Sequence, residues 1–175
     1  RNKINRWKLC AKKYKINFFH TIDADDPFFD SESIKKSLIM CKSKYDIVFP
    51  SKVSRSGGAS EGYSFSYKSV SKLDKLLALK QKLNKNIDIE MIEKFIDNKN
   101  FKVKTLKGNN YEIKNARLTL DYKEDYDMLK IIQNKCGNFA SRKKINFFLK
   151  KNKNVLDINF FRTFDWQKKQ KKLLS

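Results

Sequence analysis

Histidine, proline, cysteine and glycine are scarce in this 175-residue chain, which holds one, two, three and five of them respectively. Cys10, Cys41 and Cys136 are odd in number and widely spaced, and no C-x-x-C pair occurs. Neither a disulfide framework nor a thiolate-bound zinc is indicated, and a reducing cytoplasm is the expected setting. Two isolated prolines exclude a proline-rich linker between domains. No apolar run approaches the roughly 20 residues that span a bilayer, and the first residues carry no signal-peptide pattern. Arginine is scarce as well. Only six of the 40 basic residues are Arg, so the formal net charge of +21 is almost wholly lysine. Base and phosphate recognition favours the planar fork of Arg, and these lysines are spread along the chain rather than massed in one stripe. Nucleic-acid binding is not expected, although a field of this sign attracts small anions.

What the chain does have is apolar mass: 40% hydrophobic residues, with 14 Phe and 7 Tyr. That suits one globular domain with a real core. Ile4, Trp7, Ala11 and Tyr14 recur at helical spacing and predict an amphipathic helix over residues 1–15. The run Ile16–Ile22 reads as a buried strand. Ser31 or Ser33 can cap a helix running to about Cys41, and Tyr45–Phe49 is a second short strand closed by Pro50. Strand, helix, strand in some thirty residues predicts a parallel pair. A glycine-rich loop follows, containing Gly57, Gly58 and Gly62. Tyr63–Tyr67 alternates aromatic and serine residues, as a strand with one wet face does. Helices are predicted from Ser69 to Leu83 and from Ile87 to Asp97, with strands at Phe101–Leu106 and Arg117–Leu120. Tyr122 to Gln133 reads as a helix whose first turn carries Glu124 and Asp125, with Gly137 placed to end it. A last helix, Ser141 to Lys150, precedes a lysine-rich segment, 151–175, expected to be an extended tail to a domain of residues 1–150.

Chemistry concentrates where strands end in acid. Ile22 is followed by Asp23, Asp25 and Asp26 and then by Pro27, and Arg117–Leu120 is followed by Asp121. Crowded carboxylates repel unless a cation or hydrogen-bond donors sit between them. One aspartate before a helix is ordinary capping, and Asp121 alone would be read that way. Three in four residues exceed what capping needs. Hard oxygen ligands without cysteine point to Mg²⁺ or Mn²⁺, which takes one or two protein carboxylates and completes its shell with water and phosphate oxygens. His20, inside an apolar strand, reads as a packed and hydrogen-bonded residue rather than a base. Arg55, Ser60 and Tyr63 flank the glycine-rich loop, which matches neither a P-loop nor G-x-G-x-x-G and can be a plain connection or a flap over a polar substrate.

Asp23-Ala24-Asp25-Asp26-Pro27, followed some hundred residues later by Arg117-Leu118-Thr119-Leu120-Asp121-Tyr122-x-Glu124-Asp125-Tyr126, resembles the sugar cytidylyltransferase family. That family includes the acylneuraminate and 3-deoxy-manno-octulosonate cytidylyltransferases and the relatives of spore coat polysaccharide biosynthesis protein F. The resemblance implies a three-layer α/β/α nucleotide-diphospho-sugar transferase-like fold with a mostly parallel sheet. It implies Asp25 and Asp121 as the catalytic and metal-binding carboxylates for Mg²⁺ or Mn²⁺. Asp23, Arg55, Gly62, Tyr63, Glu90 and Arg117 are the implied substrate-side residues. The reaction implied joins CTP to a sugar or sugar acid, giving a CMP-sugar and pyrophosphate for polysaccharide or glycan biosynthesis, in an enzyme that can be a homodimer. Lys123 stands where the family usually has Pro. The family's N-terminal strand and its phosphate-gripping loop would precede Arg1, so the chain is expected to be the C-terminal portion of a longer enzyme. Three other readings remain: a glycosyltransferase of related fold, a non-catalytic basic binding module, and a degenerate family member without activity.

Overall fold

The computed structural model describes residues 2–52, 62–83, 92–110, 112–113 and 115–172. The chain falls into two compact units, one of residues 1–21, 34–49 and 63–105 and the other of residues 22–33, 50–62 and 106–175.

The first unit holds the sheet. Helix α1 (Lys3–Lys13) is started by Asn2, whose side-chain oxygen accepts the Ile4 and Asn5 amides at 3.0 and 3.1 Å, satisfying two of the free N–H groups of a helix start. Its Ile4 and Ala11 are buried as the spacing predicts, but Tyr14 lies beyond the last turn and is exposed. Strands β1 (Phe18–His20), β2 (Ile47–Phe49), β3 (Ser64–Ser66) and β4 (Val103–Thr105) form one sheet in the order β1-β3-β2-β4. Helix α2 (Ser31–Ser43) leads from β1 to β2, and α3 (Tyr67–Leu83) follows β3 directly.

This sheet corrects the expectation of a mostly parallel one. β3 is inserted antiparallel between β1 and β2, and only β2 and β4 pair in parallel. β1 and β2 run in the same direction, as a strand–helix–strand unit does, but are not neighbours: β1, β2 and β4 run one way and β3 runs against them. The serines of β3 are not a wet face either. Ser64 is fully buried, its hydroxyl 2.9 Å from His20 Nδ1 and accepting from the Ser37 hydroxyl at 2.7 Å. His20 is thus a hydrogen-bonded strand residue, as its setting suggested. The core of this unit is Ile4, Ile47, Phe65, Val70, Leu73, Leu77, Ile92 and Phe101, drawn from α1, the strands, α3 and a short 3₁₀ turn at Ile92–Phe95. That turn is all that is described of the helix expected from Ile87 to Asp97.

The second unit is helical. Helix α4 (Lys123–Cys136) ends at Gly137, whose φ of 91° lies in the left-handed region that suits glycine. Helix α5 (Arg142–Lys151) is capped by the Ser141 hydroxyl, which accepts the Lys144 amide. Two further helices, α6 (Lys153–Asp157) and α7 (Arg162–Lys172), occupy the segment expected to be an extended tail. Their periodicity is weak in the sequence, yet Val155 is buried in the core with Met128, Leu129, Ile132, Ile145 and Leu149. The strand expected at Arg117–Leu120 is absent: the segment is extended and largely buried but joins no ladder. Among the described residues, no helix is long and apolar enough to cross a membrane.

Candidate functional site

The two acidic segments meet in the second unit. The Leu120 amide donates to the Asp25 carbonyl at 2.8 Å, which sets Asp25 beside the residue that precedes Asp121. Neither segment belongs to a strand, so this main-chain bond takes the place of a ladder. The Asp23–Asp26 loop is closed on itself by the Asp26 amide donating to the Asp23 carbonyl. Arg142, at the first turn of α5, donates from Nε and Nη2 to the Phe28 carbonyl at 3.2 and 2.7 Å and so holds the loop's far side.

Asp26 points inward and is 6% exposed. Burial, followed by the nearby Asp25 and Asp23 carboxylates, raises its pKa to about 8, against opposing contributions from the Thr119 hydrogen bond and the Arg142 charge. Asp26 is therefore mostly neutral at pH 7. Asp23 and Asp25 carry the negative field of the loop.

Asp121 lies in a tighter arrangement. The Arg117 side chain is 1% exposed and its guanidinium grips Asp125, fully buried, with Nε on Oδ1 at 2.9 Å and Nη2 on Oδ2 at 3.0 Å. Arg117 Nη2 also donates to Asp121 Oδ2, and the Asp121 side chain is 33% exposed. Burial opposes the Arg117 charge, but the hydrogen bonds and charges of Asp125 and Asp121 outweigh it and its pKa moves up. One positive charge against two negative leaves a net negative charge, and Asp121 is its solvent-accessible carrier. Asp125 also accepts the Asp121 and Tyr122 amides on Oδ2, at 2.9 and 3.0 Å. This is the N3 half of a capping box, and it fixes the turn that presents Asp121. Asn159, from the segment between α6 and α7, donates one amide nitrogen to both Asp125 Oδ1 and the Arg117 carbonyl, each at 2.9 Å. Outside this knot, Arg162 binds Glu124 through two nitrogens at 3.1 and 2.7 Å, and its guanidinium stands 4.9 Å from the centre of the Tyr122 ring.

Of the residues singled out in the sequence, Asp23, Asp25, Arg117 and Asp121 fall in this unit. Arg117 is wholly committed to Asp125 and Asp121, which makes it part of the scaffold beneath Asp121. Tyr63 belongs to the other unit, where its hydroxyl donates to Glu93 and its ring meets Phe49 edge-on at 5.3 Å. Gly62 has φ 72°. Arg55 and Glu90, with Gly57, Gly58 and Ser60, lie outside the described residues. Asn159 and Arg142 are not singled out by the sequence, and Asp125 reads there as a first-turn acid and a motif residue but not as the partner of Arg117. Asp125 had a signal, three residues after an N-cap and eight after an Arg. Asn159, between Ile158 and Phe160, had none.

Among the described residues, no three His, Cys, Asp or Glu side chains converge to hold a metal ion. An all-protein cage is therefore not what these residues build. Two carboxylate-bearing segments held side by side, with Asp121 partly exposed, suit a hard divalent cation that completes its shell with phosphate and water.

No protein-family model matches the sequence, and no curated protein matches it. Among solved structures, the chain is similar to a cytidylyltransferase from Leptospira borgpetersenii serovar Hardjo-bovis (strain JB197), with a TM-score of 0.70 at 21% identity. The match covers 87% of this chain and 64% of that one. At that identity the likeness is one of fold: this chain has the α/β fold of a cytidylyltransferase over nearly all its length, with a sheet only partly parallel.

Proposed function

We propose that this chain is the greater part of a metal-dependent cytidylyltransferase that joins CTP to a sugar or sugar acid and releases pyrophosphate. The observation that carries the reading is the 2.8 Å bond from the Leu120 amide to the Asp25 carbonyl, which brings together two acidic segments that lie almost a hundred residues apart in a chain of cytidylyltransferase fold. Asp25 and Asp121 are the proposed ligands of Mg²⁺ or Mn²⁺. Held there, the cation would neutralise the triphosphate oxygens as a sugar hydroxyl attacks the α-phosphorus and pyrophosphate leaves. The chain's own part is orientation. Arg117 and the Asp125-bound amides hold Asp121 ready before substrate arrives, so little reorganisation is needed during the reaction. Asp23 adds negative charge to the loop without sharing the Asp121 turn, which suits a role on the substrate side of the cation. The surrounding excess of lysine draws CTP toward this acidic spot.

The test is Mg²⁺-dependent pyrophosphate release from CTP and a panel of sugars and sugar acids, using the full-length enzyme and its Asp25→Ala and Asp121→Ala variants. Each substitution should lower turnover by at least about a hundredfold, in the range of losses seen when a preorganised electrostatic group is removed. Turnover within twofold of the parent in both variants overturns the metal assignment. Consumption of a CMP-sugar without pyrophosphate would instead support a glycosyltransferase.

A further inference from the structure

Asn159 ties the C-terminal helices into the acidic site. It is fully buried, and its Nδ2 donates to two acceptors, the Arg117 carbonyl and Asp125 Oδ1, at 2.9 Å each. These acceptors bracket the nine-residue stretch 117–125, and Asp121 is its midpoint. The stretch is closed twice from within: once by the Arg117 guanidinium on Asp125, and once by the Asn159 amide between the Arg117 backbone and the same carboxylate. Asp125 Oδ2 in turn holds the Asp121 amide. Arg117 holds both oxygens of Asp125; Oδ2 also takes the two amides of the turn, while Oδ1 also takes Asn159, which helps stop the carboxylate from rotating away from them.

We infer that Asn159 is a positioning residue for metal binding: through Asp125 it holds the Asp121 carboxylate where a divalent cation can be bound. This rests on the reading of Asp121 as a metal ligand, and it gives the segment beyond residue 150 a role in the site. Without Asn159 the Arg117 carbonyl would lose that donor, but Asp125 would not lie loose, since Arg117 and two backbone amides still hold it. The loss should therefore fall on the orientation of the turn more than on the fold. Partners that orient a metal ligand commonly contribute ten- to a hundredfold in affinity.

Mn²⁺ binding to the protein alone, followed by electron paramagnetic resonance of the free ion, tests this without any need for turnover. Asn159→Ala should bind Mn²⁺ at least about tenfold more weakly than the parent while remaining folded at the assay temperature by circular dichroism. Asn159→Ser, which keeps one hydroxyl donor, should fall between them, and it carries the comparison if the alanine variant does not fold. Asn146→Ala supplies the control for merely removing a buried amide of the same unit, and it should leave Mn²⁺ affinity unchanged. Affinity within twofold of the parent in the Asn159 variants, with Asp121→Asn losing binding, overturns the positioning role and leaves the metal reading intact. Unchanged affinity in Asp121→Asn removes the metal reading and this inference with it.

Discussion

Asp26 shows how a single buried carboxyl reports the field around it. Burial first, then Asp25 and Asp23, raise its pKa from 3.8 to about 8, and Thr119 and Arg142 only partly offset this. A raised acid pKa means that the folded state keeps its proton where the unfolded chain has lost it. Between pH 4 and 8 the unfolded state binds fewer protons, so the contribution of Asp26 to stability is complete below about pH 4. It declines as pH rises to about 8 and is level above that. Asp26→Asn keeps the shape and removes the charge. In EDTA, its melting temperature should match the parent near pH 4 and exceed it increasingly up to pH 8.5. A difference between the two that does not change with pH would show that Asp26 is charged throughout. At this scale the sequence was legible where charge was crowded: three aspartates in four residues stood out. It was illegible where a residue acts from within, because the burial of Asn159 depends on contacts with Arg117 and Asp125, 42 and 34 positions away.

Elements were legible where their ends carry local chemistry. Asn2, Ser141 and Gly137 mark helix boundaries through bonds or backbone angles set within a few residues. Gly137 allows the sharpest test, since a Cβ built there meets nothing within 4 Å while φ is 91°. Any cost of Gly137→Ala is then backbone strain alone, about 1–2 kcal/mol, with no steric clash to add to it. Urea unfolding should show the midpoint falling with the slope unchanged, and Gly137→Asn should fall about as far, because ψ of 161° lies outside the αL well that Asn tolerates. An alanine variant as stable as the parent would mean that α4 can end in another conformation. The illegible elements are those whose definition is not local. Arg117–Leu120 has the alternation of a strand, yet a strand exists only with a partner, and the hydrogen bond at Leu120 goes to a loop carbonyl. β3 was recognisable, but its insertion beside β1 depends on pairings such as His20 with Ser64, 44 residues apart.

At the scale of the whole molecule, the lysine excess sets a condition under which the chain must fold. With 40 basic residues against 19 acidic, most cations lack an anionic partner, and compaction brings like charges together. Apart from the buried Arg117–Asp125 pair, ion pairs such as Lys8–Asp74, Lys123–Asp127 and Arg162–Glu124 are wholly or partly solvent-exposed, and pairs of that kind contribute about 1 kcal/mol or less. Salt therefore acts in two directions. It weakens those few pairs, and it screens a repulsion summed over a far larger number of unpaired lysines. The Debye length falls from about 30 Å at 0.01 M to about 8 Å at 0.15 M, so the long-range repulsion is screened first and close pairs are affected less. The melting temperature should rise by several degrees between 10 and 200 mM KCl at pH 7. A melting temperature that falls over this interval would mean that local pairs, not net charge, govern stability, and it would also weaken the case that the lysine field draws a triphosphate toward the acidic site.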